Sequence, residues 1–155
     1  MKPKKQKTPN AERRTSNIEF RSNGDRAAEA PAREYGQHRE YDLEDRLLEF
    51  AAGIVALVDS LPNTRAANHI AGQLLRCGTS PLSNHGEVEA AESRKDFLHK
   101  LRICLKELRE TRRWLRLVGR LKLTQGSTLA DSLTETEELI RIFRASVRTA
   151  EKNAG

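Results

Sequence analysis

The chain has 155 residues, of which 37% are apolar, 32% charged and 5% aromatic, and a formal net charge of +6. That length supports one domain with a buried core, and so much charge with so few aromatics points away from a β-sandwich and towards a helical bundle with a large solvated surface. The basic balance admits nucleic acid or another anionic surface as a partner without naming one. No apolar run reaches the length of a membrane span, and the basic N-terminus lacks the apolar stretch of a secretory signal, so a cytoplasmic protein is expected.

Residues 1–41 read as a disordered basic tail. They contain Pro3, Pro9 and Pro31, show no apolar period and carry a net +4. A solvated leader and an arm that holds nucleic acid loosely fit that composition equally well. The folded domain is expected over residues 42–152. Its first helix is expected over 42–60, where Leu43, Leu47, Phe50, Ile54 and Leu57 recur at alternating steps of four and three. Asp42, Glu44 and Asp45 load the first turn, where carboxylates favour the helix dipole, and Leu61 and Pro62 end the helix. Leu48, Val55 and Val58 widen the apolar arc beyond one seam.

The second helix begins near Thr64 and runs at least to Cys77, with Ala67, Ile70, Leu74 and Cys77 as its seam and Ala71 and Leu75 beside it. Gly78 and Pro81 are expected to weaken or kink it, and the polar stretch from there to Glu92 to be irregular. The third helix, over 93–122, is the longest regular stretch and would span about 45 Å. Ser93 is its N-cap candidate, with Asp96 three residues on. Phe97, Leu101, Cys104, Leu108, Thr111, Leu115 and Val118 form its seam. After a short connection around Gly126, a fourth helix over 128–150 repeats the pattern with Leu129, Leu133, Thr136, Ile140, Phe143, Val147 and Ala150. Thr128 and Asp131 offer it a cap, and residues 151–155 are expected to fray. Four amphipathic helices on mostly short connections make an all-α, antiparallel up-down-up-down four-helix bundle.

Charge is unevenly shared. The first helix carries a net −4 and the third a net +8. On the third, the face opposite the seam carries Lys95, Arg102, Lys106, Arg109, Arg113, Arg116 and Arg120. Arg102, Lys106, Arg109, Arg113, Arg116 and Arg120 are the candidate nucleic-acid contacts. Arginine outnumbers lysine there, which suits bidentate phosphate contact. No aromatic is interleaved on that face, so binding is expected to be backbone-directed and salt-sensitive. The plainer reading of the row is a solvated face paired in part with neighbouring acids. Opposite charge on two helices suits pairing within the bundle, and equally pairing between subunits set head to tail in a ring.

No catalytic motif survives: there is no phosphate-binding glycine loop, no paired-cysteine zinc spacing and no nucleophile elbow. His38, His69, His85 and His99 are scattered, and read as surface or loop histidines; His85 beside Glu87 is the one weak metal candidate. Cys77 and Cys104 sit on apolar stripes and read as small buried hydrophobes in a reducing compartment. Leu98, Leu105, Trp114, Leu117, Leu121, Leu139 and Ile142 lie beside the seams, a surplus that points to a subunit interface.

The run LLRCGTSPLSNHGE followed by SRKDFLHKLRICLKELRETRRWLRLV resembles the four-helix-bundle proteins encoded in intervening sequences of bacterial large-subunit ribosomal RNA genes. The likeness covers about residues 42–150. Its motif falls on Arg76, Ser80, Pro81, Asn84, Glu87, Ser93 and Phe97, and its Lys-Glu-Leu segment on Lys106, Glu107 and Leu108. The resemblance implies an antiparallel bundle that assembles into a ring, a homopentamer, with no enzymatic activity and no cofactor. The chain is also similar to the accessory proteins of diversity-generating retroelements, which implies RNA or DNA, and a reverse transcriptase, as partners. The expectation is a non-enzymatic oligomeric bundle that binds nucleic acid. The alternative is a protein-interaction scaffold ring with no nucleic-acid role, and a metal-dependent enzyme is a distant third.

Overall fold

The computed structural model describes residues 43–124 and 126–153. The expected tail over residues 1–41, with His38, lies outside them. Four helices follow in order: α1 Leu43–Asp59, α2 Arg65–Glu89, α3 Arg94–Arg120 and α4 Ser127–Lys152. Helix α2 packs on α1 and α3, and α4 closes the ring of contacts on α3 and α1. Helices α1 and α3 occupy opposite corners and make no close backbone approach.

The contacts run in opposite order along neighbouring helices. From α2 to α3 they pair His69 with Trp114, Arg76 with Glu107 and Glu87 with Lys100. From α3 to α4 they pair Arg102 with Glu151 and Arg112 with Glu137. At the top of α1, the Ser60 and Thr124 hydroxyls lie 3.3 Å apart; further down, Arg46 pairs with Glu135. The bundle is therefore antiparallel throughout.

The seams predicted from spacing are the core. Leu47, Ile54, Leu57, Leu74, Leu101, Leu108, Leu115 and Phe143 are fully buried, while Leu129 and Leu133 at the start of α4 are only partly so. Each fully buried side chain contributes about 1.5–3 kcal/mol on leaving water. Thr64 caps α2, its hydroxyl accepting from the Ala67 amide at 3.2 Å, and Ser93 does the same for α3 from the Asp96 amide at 3.2 Å. Helix α3 ends in a Schellman turn. The Lys122 amide donates to Gly119 and the Leu123 amide to Val118, each at 3.2 Å, with Lys122 in the left-handed region at φ 52°.

Four expectations need correction. Helix α2 does not end at Gly78 or Pro81: it continues to Glu89, so the stretch expected to be irregular is helical. The buried stripe Cys77, Pro81, His85, Val88 keeps a helical period straight through the proline. Packing along that stripe outweighs the lost Pro81 amide. Local side chains help, since Asn84 Nδ2 donates to the Ser80 carbonyl at 2.9 Å and to the Ser80 hydroxyl at 2.7 Å. Gly78, expected to weaken the helix, is a close-approach site: a Cβ there would lie 2.8 Å from Ile54 Cγ2 of α1.

Helix α4 starts one residue earlier than expected, capped by Gly126 at φ 120° with no side-chain cap bond, so Thr128 and Asp131 are not its cap. Its other end runs on to Lys152, with Glu151 helical and paired to Arg102. Finally, part of the apolar surplus belongs to this core: Val58, Leu105, Leu139 and Ile142 are buried, and Leu98 and Trp114 pack against it.

Candidate nucleic-acid interface

A helix of 3.6 residues per turn carries the inward seam of α3 and the outward cations on opposite arcs. The structure divides those cations by what surrounds them. On the flank towards α2, Lys100 Nζ lies 3.7 Å from Glu87 and 3.3 Å from Asp96. On the flank towards α4, Arg112 lies 3.2 Å from Glu137, Arg102 lies 2.8 Å from Glu151, and Arg94 donates to the Ala150 carbonyl at 3.1 Å. These groups sit at the edges of the apolar seams, each with a partner inside the fold. Of the six predicted contacts, Arg102 is thus partnered within the fold.

The other five, Lys106, Arg109, Arg113, Arg116 and Arg120, are exposed and have no carboxylate within ion-pair distance among the described residues. They run from mid-helix to its C-terminal end on the solvent arc, a cationic strip that no carboxylate of the described residues neutralises. Long cationic side chains there keep their heads in water at little cost, and a phosphate backbone can replace that water. Trp114, the only tryptophan, is not on this strip. It is half-buried, sits edge-on to His69 with ring centroids 6.1 Å apart, and reaches Glu110 Oε1 at 3.5 Å. The strip therefore offers charge without a stacking platform, as the spacing predicts.

The motif residues lie along the α2–α3 seam. Arg76 NH1 is 3.7 Å from Glu107 Oε2, and Arg76 also pairs with Glu110. Ser80 and Asn84 bond each other one turn on, Glu87 meets Lys100, Ser93 caps α3, and Phe97 and Pro81 are buried. Glu107 itself is buried, which the heptad reading does not reveal because its carboxylate lies beside the apolar seam rather than on it. Residues assigned by likeness are thus brought together, but as the join between two helices.

His85 is not a surface or loop histidine. It is buried on α2, edge-on to Phe143 at 6.5 Å, with no hydrogen-bond partner for Nδ1 among the described residues. Its ring fills a core position that a scan for aliphatic residues overlooks. Among the described residues no group of three His, Cys, Asp or Glu side chains is placed to hold a metal ion. Cys77 and Cys104 are buried free thiols. Burial pushes the Cys104 thiol up to about 12, and burial likewise raises Cys77. Both remain protonated at neutral pH and make weak nucleophiles. None of the described helices is long and apolar enough to cross a membrane.

The profile of the 23S rRNA-intervening sequence protein family matches residues 39–145, and the chain belongs to that family. A crystal structure of a protein of unknown function from the S23 ribosomal protein family of Bacteroides thetaiotaomicron superposes with a TM-score of 0.63 at 35% identity. The match covers 68% of this chain and 97% of that one. No curated protein matches.

Proposed function

We propose that this protein is a non-enzymatic, cytoplasmic, ring-forming four-helix bundle that binds RNA or DNA through the outer arc of α3. The observation that carries this reading is the strip of five outward cations without acidic partners, next to a second set of α3 cations that do have them. A merely solvated helix face needs no such segregation. Contact is with the phosphate backbone, so affinity falls steeply with salt and varies little with sequence. Ring assembly, five subunits by family likeness, would repeat the strip around one particle and raise its avidity.

The test is replacement of Arg109, Arg113 and Arg116 by Glu. Binding in a gel-shift series at low salt is expected to drop at least tenfold while the circular dichroism spectrum is unchanged. Unchanged affinity contradicts the proposal. A second reading is favoured by the exposed acids Asp45, Glu49 and Asp59 on α1, which also have no ion-pair partner among the described residues. In that reading the ring is a protein scaffold, held by charge pairing between subunits. The same triple substitution would then lower the particle mass in light scattering.

A further inference from the structure

Helices α1 and α3 each carry a second stripe that the bundle does not use. On α1, Asp45, Leu48, Ala52, Val55 and Asp59 follow steps of three and four and are all exposed, Leu48 to 52% and Val55 to 40%. Arg46 marks the flank of α1 that faces α4, and Leu48 and Val55 lie about half a turn round from it, on the side of α2. On α3, Leu117 is 37% and Leu121 50% exposed. They follow Trp114, which meets α2 through His69, by three and seven residues, so they too lie towards α2. The two stripes therefore occupy neighbouring faces of the bundle, on either side of the α2 corner.

We propose that these stripes are the two halves of one head-to-tail interface, and that the occupant of each is a second copy of this chain. This rests on the ring-forming reading above. Three features choose that occupant. The α1 stripe has an apolar centre with an aspartate at each end; the α3 stripe has an apolar patch beside cations. Asp45 and Asp59 are fourteen residues apart, as are Lys106 and Arg120, about 21 Å on either helix. With those pairs aligned, Val55 of one copy falls within one residue, about 1.5 Å, of the level of Leu117 of the next. And α1 and α3 run in the same direction in an antiparallel bundle, so copies related by a rotation about the bundle axis present them in parallel, as this alignment requires.

Two unlike patches on faces set at an angle make a heterologous contact, which propagates round a closed ring of a few subunits and cannot close at two. The interface also divides the cationic strip. Lys106 and Arg120 meet the neighbour's aspartates. Of the five, Arg109 and Arg116 lie furthest round towards α4 on a 3.6-residue turn and remain free for phosphate.

The experiment uses two full-length double variants, Leu48→Asp/Val55→Asp and Leu117→Asp/Leu121→Asp, with mass read by light scattering and folding by circular dichroism. The wild type is expected to be a ring and each variant a folded monomer. Each variant keeps one good face, so mixing them is expected to yield a one-to-one heterodimer and nothing larger. A wild-type ring that survives either double substitution, or folded variants that fail to associate on mixing, overturns the interface while leaving ring formation standing. A wild-type monomer overturns the ring reading itself, and a wild-type dimer overturns the head-to-tail geometry. If either aspartate pair unfolds the chain, the Ser counterparts at the same positions are read in the same way.

Discussion

Helices α1 and α3 stand at opposite corners of the same bundle and differ in what their outward residues do. Helix α1 is joined to α2 by shape: Ile54 lies 2.8 Å from where a Cβ on Gly78 would be, and apolar side chains fill the seam. Helix α3 is joined to both neighbours by apolar seams edged with ion pairs, Arg76 and Lys100 on one flank and Arg102 and Arg112 on the other. Yet both carry outward charge that has no ion-pair partner among the described residues, Asp45, Glu49 and Asp59 on α1 and five cations on α3. The lesson is that the bundle needs only the inner and flanking residues of each helix. The outermost charge on both corners takes no part in the packing of the described residues.

That division makes inward and outward substitutions separable. The largest effect is expected inside. Leu108→Ala, at a fully buried position of α3, should cost about 2–5 kcal/mol in urea unfolding. Arg109→Glu on the same helix should stay within about 0.5 kcal/mol of wild type. A similar loss at both positions would erase the distinction.

The α1–α2 join comes next. Gly78→Ala puts a methyl 2.8 Å from the stiff β-branched Ile54, and should destabilise by about 1–2 kcal/mol despite better helix propensity. On the same helix, Gly72 has nothing within 4 Å of a built Cβ, so Gly72→Ala should stabilise by about 1 kcal/mol. Equal shifts in thermal midpoint would show that close approach at Gly78 does not matter.

At the end of α3, Lys122 holds a left-handed conformation that glycine adopts freely. Lys122→Gly is expected to gain about 0.5 kcal/mol, the steric relief being partly offset by a freer unfolded chain. A loss in chemical denaturation would contradict the turn described.

The last prediction has no effect at neutral pH. The Cys104 thiol is raised from an ordinary value of 9.0 to about 12, chiefly by burial. Its folded value lies above its unfolded one, so its contribution is fully present below pH 9 and is lost as pH rises towards 12. Melting temperature should therefore fall more steeply between those values for wild type than for Cys104→Ala. Parallel slopes would contradict a buried protonated thiol.

Most of the fold is legible in the sequence because the four-three spacing of apolar residues is dense on all four helices. The cap at Ser93 is legible too, since a hydroxyl with Asp96 three residues on precedes a long apolar period there. The second half of α2 is not. Its inward positions there are Pro81, His85 and a glycine, residues that read as breakers or polar groups until packing shows them buried. Gly126 as the cap of α4 competes with the better-looking Thr128, and only the backbone turn at φ 120° decides between them. The cationic row is legible as a row. Which of its members is partnered is not, because Arg102 meets Glu151, 49 residues away in sequence.

The measurement that bears most directly on the account is nucleic-acid affinity against salt concentration, for the full chain and for a chain beginning at Tyr41. With the phosphate contacts on α3, both should bind, and the shorter chain should keep a steep slope of roughly −0.9 per phosphate contact on duplex DNA. Absence of binding by both would contradict the nucleic-acid role and leave the cationic strip to the contacts between subunits. Binding by the full chain alone would take the site off α3 and place it in the tail.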